Sequence, residues 1–181
     1  ASVTINFPVQ LLCSVGGTYT LQDNLTLLSS RSLSIFDGIF DANDHNVTGY
    51  GMFANSSRAH EIYMGSGTFT LQGTGIVWNS FTGFVIHAET STIIISDTSA
   101  TSKQLFTASG DVYYNITITG DNVTLGSSNN WSCNTLTLNN PGLTNGVQFN
   151  SSQTVTVASF VAEGTAGNLV KISSSSAGTA A

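Results

Sequence analysis

Charge is scarce in this chain. Asp, Glu, Lys and Arg make up 8% of its 181 residues, against about 25% in an ordinary soluble domain. The basic residues are Arg31, Arg58, Lys103 and Lys171; so few cations cannot neutralise a phosphate backbone, which argues against nucleic-acid binding. No run reaches the roughly 18 apolar residues of a membrane-spanning helix. The opening "ASVTINFPVQLLCSV" has no basic leader, so it does not read as a signal peptide. Leu, Glu, Lys and Arg never assemble into a stripe of helical period, and helix is a poor reading nearly everywhere. Ser, Thr, Asn and Gly fill the vacated positions. They are turn formers and, in the case of Thr, a strand former.

Repetition is what the sequence has in abundance. "GTYTLQ" at 17–22 returns as "GTFTLQ" at 67–72. Thr-x-Thr triplets with an apolar centre occur at Thr18, Thr68, Thr117, Thr135 and Thr154. Period-two alternation puts the central residue on one face and both threonines on the other. Asn-apolar-Thr recurs at Asn24, Asn46, Asn115 and Asn122, and Asn tolerates the left-handed backbone of a sharp corner. An antiparallel sandwich would need more two-residue turns than Asp37-Gly38 and Asn145-Gly146. The expected fold is therefore all-β: a parallel β-helix (β-solenoid) with coils of about 18–25 residues. Residues 1–15 are expected to be a lead-in or cap and residues 16–181 the β-helix, continuing in a longer parent chain. The predicted inward ladder is Tyr19, Phe69, Ile118, Leu136 and Val155, with Trp78 also buried.

The segments "FDANDHNVT", "GSGTFTLQGTGIVW", "TSTIIISDTSATSK", "NTLTLNNPG" and "GTAGNLVKISSSSAGT" resemble the Gly/Ser/Thr-rich parallel β-helix repeats of tailed-phage structural and tail proteins and of bacterial surface proteins. The resemblance implies a stiff, non-enzymatic structural or attachment module of a virion or cell surface. It also implies a homo-oligomer such as a trimer, or other virion or surface proteins as partners, with a cell-surface glycan as a further partner. It brings no catalytic motif with it.

Candidate chemistry is sparse. Asp37, Asp41, Asp44 and His45 are the nearest approach to a calcium loop or a carboxylate pair, but their spacing fits solvated turn acids better. His45, His60 and His87 lack zinc-ligand spacing, and His87 is expected on a strand surface. In a solenoid, Cys13 and Cys133 would lie roughly 25 Å apart at about 4.8 Å per coil, beyond the approximately 7 Å reach of a disulfide. They are expected to be free thiols. The sequons at Asn24, Asn46, Asn55, Asn115, Asn122, Asn130 and Asn150 follow from composition. Of the adjacent Tyr113 and Tyr114, one must face outward on a strand. No catalytic, cofactor-binding or metal-binding residue is assigned. Three other functions stay open: a bacterial adhesin, a polysaccharide-degrading β-helix enzyme, and an ice-binding β-solenoid carried by the threonine ladder.

Overall fold

The computed structural model describes residues 2–12, 16–54, 60–81, 83–127 and 129–176. Short strands follow one another around a three-sided coil. The first turn holds β1 (Ser2–Ile5), β2 (Val9–Leu11) and β3 (Thr18–Thr20). The second holds β4 (Asn24–Leu27), β5 (Leu33–Ile35) and β6 (Gly38–Asp41), and the third β7 (Val47–Gly49), β8 (Met52–Ala54) and β9 (His60–Tyr63). The fourth holds β10 (Thr68–Leu71), β11 (Gly75–Asn79) and β12 (Phe84–His87). Later turns have two strands each: β13 (Thr92–Ile95) with β14 (Lys103–Phe106), β15 (Val112–Ile118) with β16 (Val123–Leu125), β17 (Trp131–Leu138) with β18 (Val147–Phe149), and β19 (Val155–Ala162) with β20 (Ile172–Ser174).

Among the described residues every strand pairing is parallel and joins one turn to the next. Among the described residues this gives two eight-stranded sheets, A (β1-β4-β7-β10-β13-β15-β17-β19) and B (β2-β5-β8-β11-β14-β16-β18-β20), and a four-stranded sheet C (β12-β9-β6-β3). The protein is a parallel β-solenoid. β1 and β2 pair with β4 and β5, so the segment expected to be a lead-in or cap carries two strands that stack on the second turn.

Inward residues of sheet A stack as Leu25, Val47, Phe69, Ile93, Ile116, Leu136 and Phe160, each over the last. A second column runs Leu27, Leu71, Ile95, Ile118 and Leu138, interrupted by Gly49. From Leu25 to Leu136 the first column is buried, but Phe160 in the last turn is 52% exposed. Of the predicted ladder, Phe69 and Leu136 share one column, Ile118 lies in its neighbour, and all three are fully buried. Val155 stacks on Trp131 and is only partly buried.

Tyr19 differs from expectation. It belongs to sheet C, under Phe40, which in turn lies under Ile62. Its column points inward, since Phe40 and Ile62 are buried, but Tyr19 occupies the first turn and stays 37% exposed. Two coils on from Tyr19 is therefore Ile62, and Phe69 has already passed to the next face. The repeated hexapeptide encodes a strand with an inward aromatic, not a particular side of the coil. The triplets of the second half are likewise offset. Thr135-Leu136-Thr137 lies over Asn115-Ile116-Thr117, two residues before the Thr117 triplet.

The glycines of "GSGTFTLQGTG" have steric reasons. Gly65 and Gly75 have φ of +58° and +69°, a region costly for residues with a Cβ. A Cβ on Gly67 would sit 2.3 Å from the His45 carbonyl oxygen of the preceding turn. Gly67→Ala must push two coils apart, and a loss of about 1–3 kcal/mol is expected from overpacking of this kind. Urea denaturation checks it; an unchanged midpoint would contradict the close approach of the two turns.

Candidate functional site

The outer surface of sheet A is the most regular feature of the molecule. Outward positions fall into two columns. One runs Asn24, Asn46, Thr68, Thr92, Asn115, Thr135, Ser159, and the other runs Thr4, Thr26, Thr48, Thr70, Ile94, Thr117, Thr137, Val161. No residue in either column carries a charge. The asparagines hold the turns together: Asn24 Oδ1 accepts the Asn46 N–H at 2.9 Å, and Asn46 Oδ1 accepts the Thr68 N–H at 2.8 Å. Asn130 does the same for the Thr154 N–H at 2.7 Å. Of the Asn-apolar-Thr phrases, only Asn122 takes a left-handed backbone, with φ of 53°. Asn24 and Asn115 lie within strands and Asn46 directly precedes one. The Asn24 and Asn46 side chains cap a neighbouring coil, and Asn115 Nδ2 donates to Thr92 Oγ1 of the preceding one at 3.3 Å, where a turn role was expected.

The expected acidic cluster is dispersed into turn contacts. Asp37 is buried and accepts the Gly38 N–H, Asp41 accepts the Asn43 N–H, and Asp44 accepts the Ser66 N–H of the next turn. That last bond holds the Asp44 carboxyl below its usual range. Among the described residues no three His, Cys, Asp or Glu side chains come together as a metal site.

His87 lies on the outer surface of sheet C, as its strand pattern implied. Its Nε2 is 3.0 Å from Glu61 Oε2, and its ring stacks on Tyr63 with centroids 4.0 Å apart. Partial burial, together with the Glu61 carboxylate, raises the Tyr63 phenol. His60 instead points inward and packs against Phe84. Cys133 is a buried free thiol, pushed up to about 11 by burial. Cys13, Asn55 and Arg58 lie outside the described residues.

Two polar groups that sequence reasoning passed over are buried in the stack. Lys103 is fully buried in β14, with its Nζ 2.8 Å from Asp97 Oδ1 and 2.9 Å from the Asp121 carbonyl oxygen, to both of which it donates; it also donates to the Ser99 carbonyl. Burial works to raise the Asp97 carboxyl, but Lys103 and Ser99 outweigh it and hold that carboxyl below its usual range. Burial likewise opposes ionisation of Asp121, and the Gly146 and Asn145 N–H groups overcome it.

The second is Asp111, in the turn before β15. Its Oδ2 accepts from the Ser80 hydroxyl, from the Ala108 N–H at 2.8 Å and from the Tyr113 hydroxyl at 2.9 Å. The Tyr113 oxygen accepts in turn from Trp78 Nε1 at 3.0 Å. Rings continue the chain, with Phe69, Trp78, Tyr113 and Trp131 meeting edge to face at 6.5, 5.9 and 6.0 Å. Tyr113 is buried and Tyr114 is 36% exposed, which settles which of the pair faces outward.

Burial outweighs these hydrogen bonds and raises the Asp111 carboxyl. A carboxyl raised on folding binds its proton more tightly in the native state, so its contribution to stability falls as pH rises from its unfolded value of about 3.9 through the native one. Asp111→Asn can keep an acceptor oxygen in place without the charge. Relative to the unmodified chain, this variant is expected to gain stability as pH rises across that window, as measured by denaturant midpoints; a difference independent of pH would contradict the assignment.

No protein-family model, curated protein or solved structure matches the chain.

Proposed function

We propose that the chain is a non-enzymatic structural and attachment segment, a rigid β-solenoid of a phage virion such as a fibre or spike component, working as a homo-oligomer or beside other virion proteins. One observation carries this reading: turn upon turn stacks in register around one continuous core, so that the chain makes an extended, stiff body. Its acids and bases support it as well. Asp44, Asp111 and Asp121 each accept a hydrogen bond from a neighbouring turn, and Lys103, paired with Asp97 in its own turn, donates to the Asp121 carbonyl of the next. A bacterial surface adhesin uses the same physics. The discriminating experiment is incubation of the purified chain with capsular and pectic polysaccharides. Co-sedimentation without new reducing ends or unsaturated products is expected; release of either product would make the protein a polysaccharide-degrading enzyme.

Ice binding is favoured by a different observation, the two uncharged columns on sheet A. Strands about 4.8 Å apart, with alternate residues roughly 6.6 Å apart, present hydroxyl, amide and methyl groups on a two-dimensional grid. Such a grid is suited to ordering water. Thermal hysteresis at micromolar protein, lost in Thr70→Tyr, would establish this function; growth of unshaped ice crystals would remove it.

A further inference from the structure

The corner before β18 needs a glycine. Gly146 has φ of +71°, and a Cβ there would lie 2.4 Å from the Lys171 carbonyl oxygen of the next turn. Both features select against any residue with a side chain. The residue before it is Asn145. Asn is a thermolabile residue, and Asn followed by Gly is its most labile setting, because no side chain shields the glycine nitrogen. That nitrogen attacks Cγ of the asparagine and gives up its proton, and ammonia leaves a cyclic succinimide behind. Water then opens the ring to Asp or to isoaspartate, in which the backbone runs through an extra carbon. Asn145 is exposed, so water has access to it.

Asp121, one turn earlier, holds this dipeptide with three hydrogen bonds. Its Oδ1 accepts the Gly146 N–H at 2.7 Å and the Asn145 N–H at 2.9 Å, and its Oδ2 accepts from Asn145 Nδ2 at 3.0 Å. Each bond bears on ring closure. The bond to Nδ2 fixes a side-chain amide that must rotate freely to react. The proton that Gly146 must give up is already bonded to a carboxylate, whose charge opposes negative charge on that nitrogen and on the tetrahedral intermediate. Against the effect of burial, the same N–H groups hold the Asp121 carboxyl below its usual range, so it stays charged and is a poor base. Gly146 is also held from its other side, where its carbonyl accepts the Val123 N–H at 3.0 Å. The consequence for the fold is direct. Val147 stacks between Val123 and Ile172 in sheet B, and an extra backbone atom just before it would break that register.

We propose that Asn145-Gly146 is a deamidation site built into the solenoid, and that the Asp121 carboxylate keeps it closed. The test is prolonged incubation of the full chain at mildly alkaline pH, with Asp and isoaspartate at position 145 read by peptide mass mapping. In the folded chain Asn145 is expected to convert at least tenfold more slowly than in a free peptide of residues 141–150. Asp121→Ala should convert at least tenfold faster than the unmodified chain, the factor that loss of a charge-assisted hydrogen bond supplies. Asp121→Asn, which can keep an acceptor oxygen without the charge, should fall between them, and it carries the same test if the alanine variant does not fold. Gly67→Ala weakens the stack three turns away without touching this corner, and should leave the rate within about twofold of the unmodified chain. Conversion in the Asp121 variants no faster than in the unmodified chain overturns the proposal; slower conversion would make Asp121 a base that promotes the reaction. Equal acceleration by Gly67→Ala also overturns it, since general unfolding would then account for the change.

Discussion

Replacing Lys103 with alanine will cost about 3–5 kcal/mol of stability, the range for breaking a buried ion pair from one side. The ammonium is fully buried, and Asp97, with 26% of its side chain exposed, is its ionic partner. Removing the amine leaves that carboxylate to the Ser99 donors alone and takes the Lys103 donor from the Ser99 and Asp121 carbonyls. These groups sit on different turns, so the loss also uncouples neighbouring coils. Lys171 is the internal control. It donates to the Thr144 carbonyl at 2.7 Å from an exposed position, and Lys171→Ala should change stability by no more than about 0.5 kcal/mol. The acid limb carries the same signature. Because the native Asp97 carboxyl is lowered, its contribution is present above the unfolded value of about 3.9 and is lost as pH falls through the native one. Lys103→Ala should therefore lose less stability on acidification than the unmodified chain. Urea midpoints from neutral pH down to pH 3 read both effects. A Lys103 variant no weaker than the Lys171 variant would show that the buried amine is not what ties these turns.

Trp78→Ala is expected to cost about 4–5 kcal/mol, toward the upper end of large aromatic truncations. The side chain is fully buried, and its ring bridges Phe69 and Tyr113. Its N–H also supplies the donor that Tyr113 accepts at 3.0 Å while donating to Asp111. Alanine leaves a cavity in the core and removes a member of the buried polar network, two losses with separate physical origins. Trp78→Phe separates them: it refills much of the volume but not the hydrogen bond, and so falls between the two. Denaturant unfolding followed by circular dichroism measures all three. A loss below about 2 kcal/mol for the alanine variant would mean that the aromatic chain contributes less than its burial implies.

Both residues show where the sequence was legible. Strand type followed from short alternating segments between Gly corners, since period two and sharp turns are local properties. Parallel stacking followed from the recurrence of like phrases. Of the asparagines read as corners, Asn24, Asn46 and Asn115 lie in or directly before strands. The coil length did not follow in detail. Turns of sheet A repeat Leu25 at Val47 and Val47 at Phe69, but Asn115 at Thr135, so matching phrases were assigned to matching sides when the intervening corners differ in length. That is why Tyr19 was placed with Phe69. Lys103 could have been found, because "KQLF" gives it the same parity as the inward Leu105. It was weighed only as one of four scarce basic residues. Asp111 looked like any other acid beside a glycine. Its carboxylate is made structural by Ser80, about one coil earlier, a contact that no local pattern announces.

The stacking itself can be measured with spin-label pairs on the outer column of sheet A. With one label at Thr26 and the second at Thr117, Thr137 or Val161, the strands lie four, five and six steps along the column. Electron-electron double resonance should give separations of about 19, 24 and 29 Å, one strand spacing per step. Distances that fail to lengthen in that order would mean that the turns do not lie in register, and the stiff solenoid would have to be abandoned.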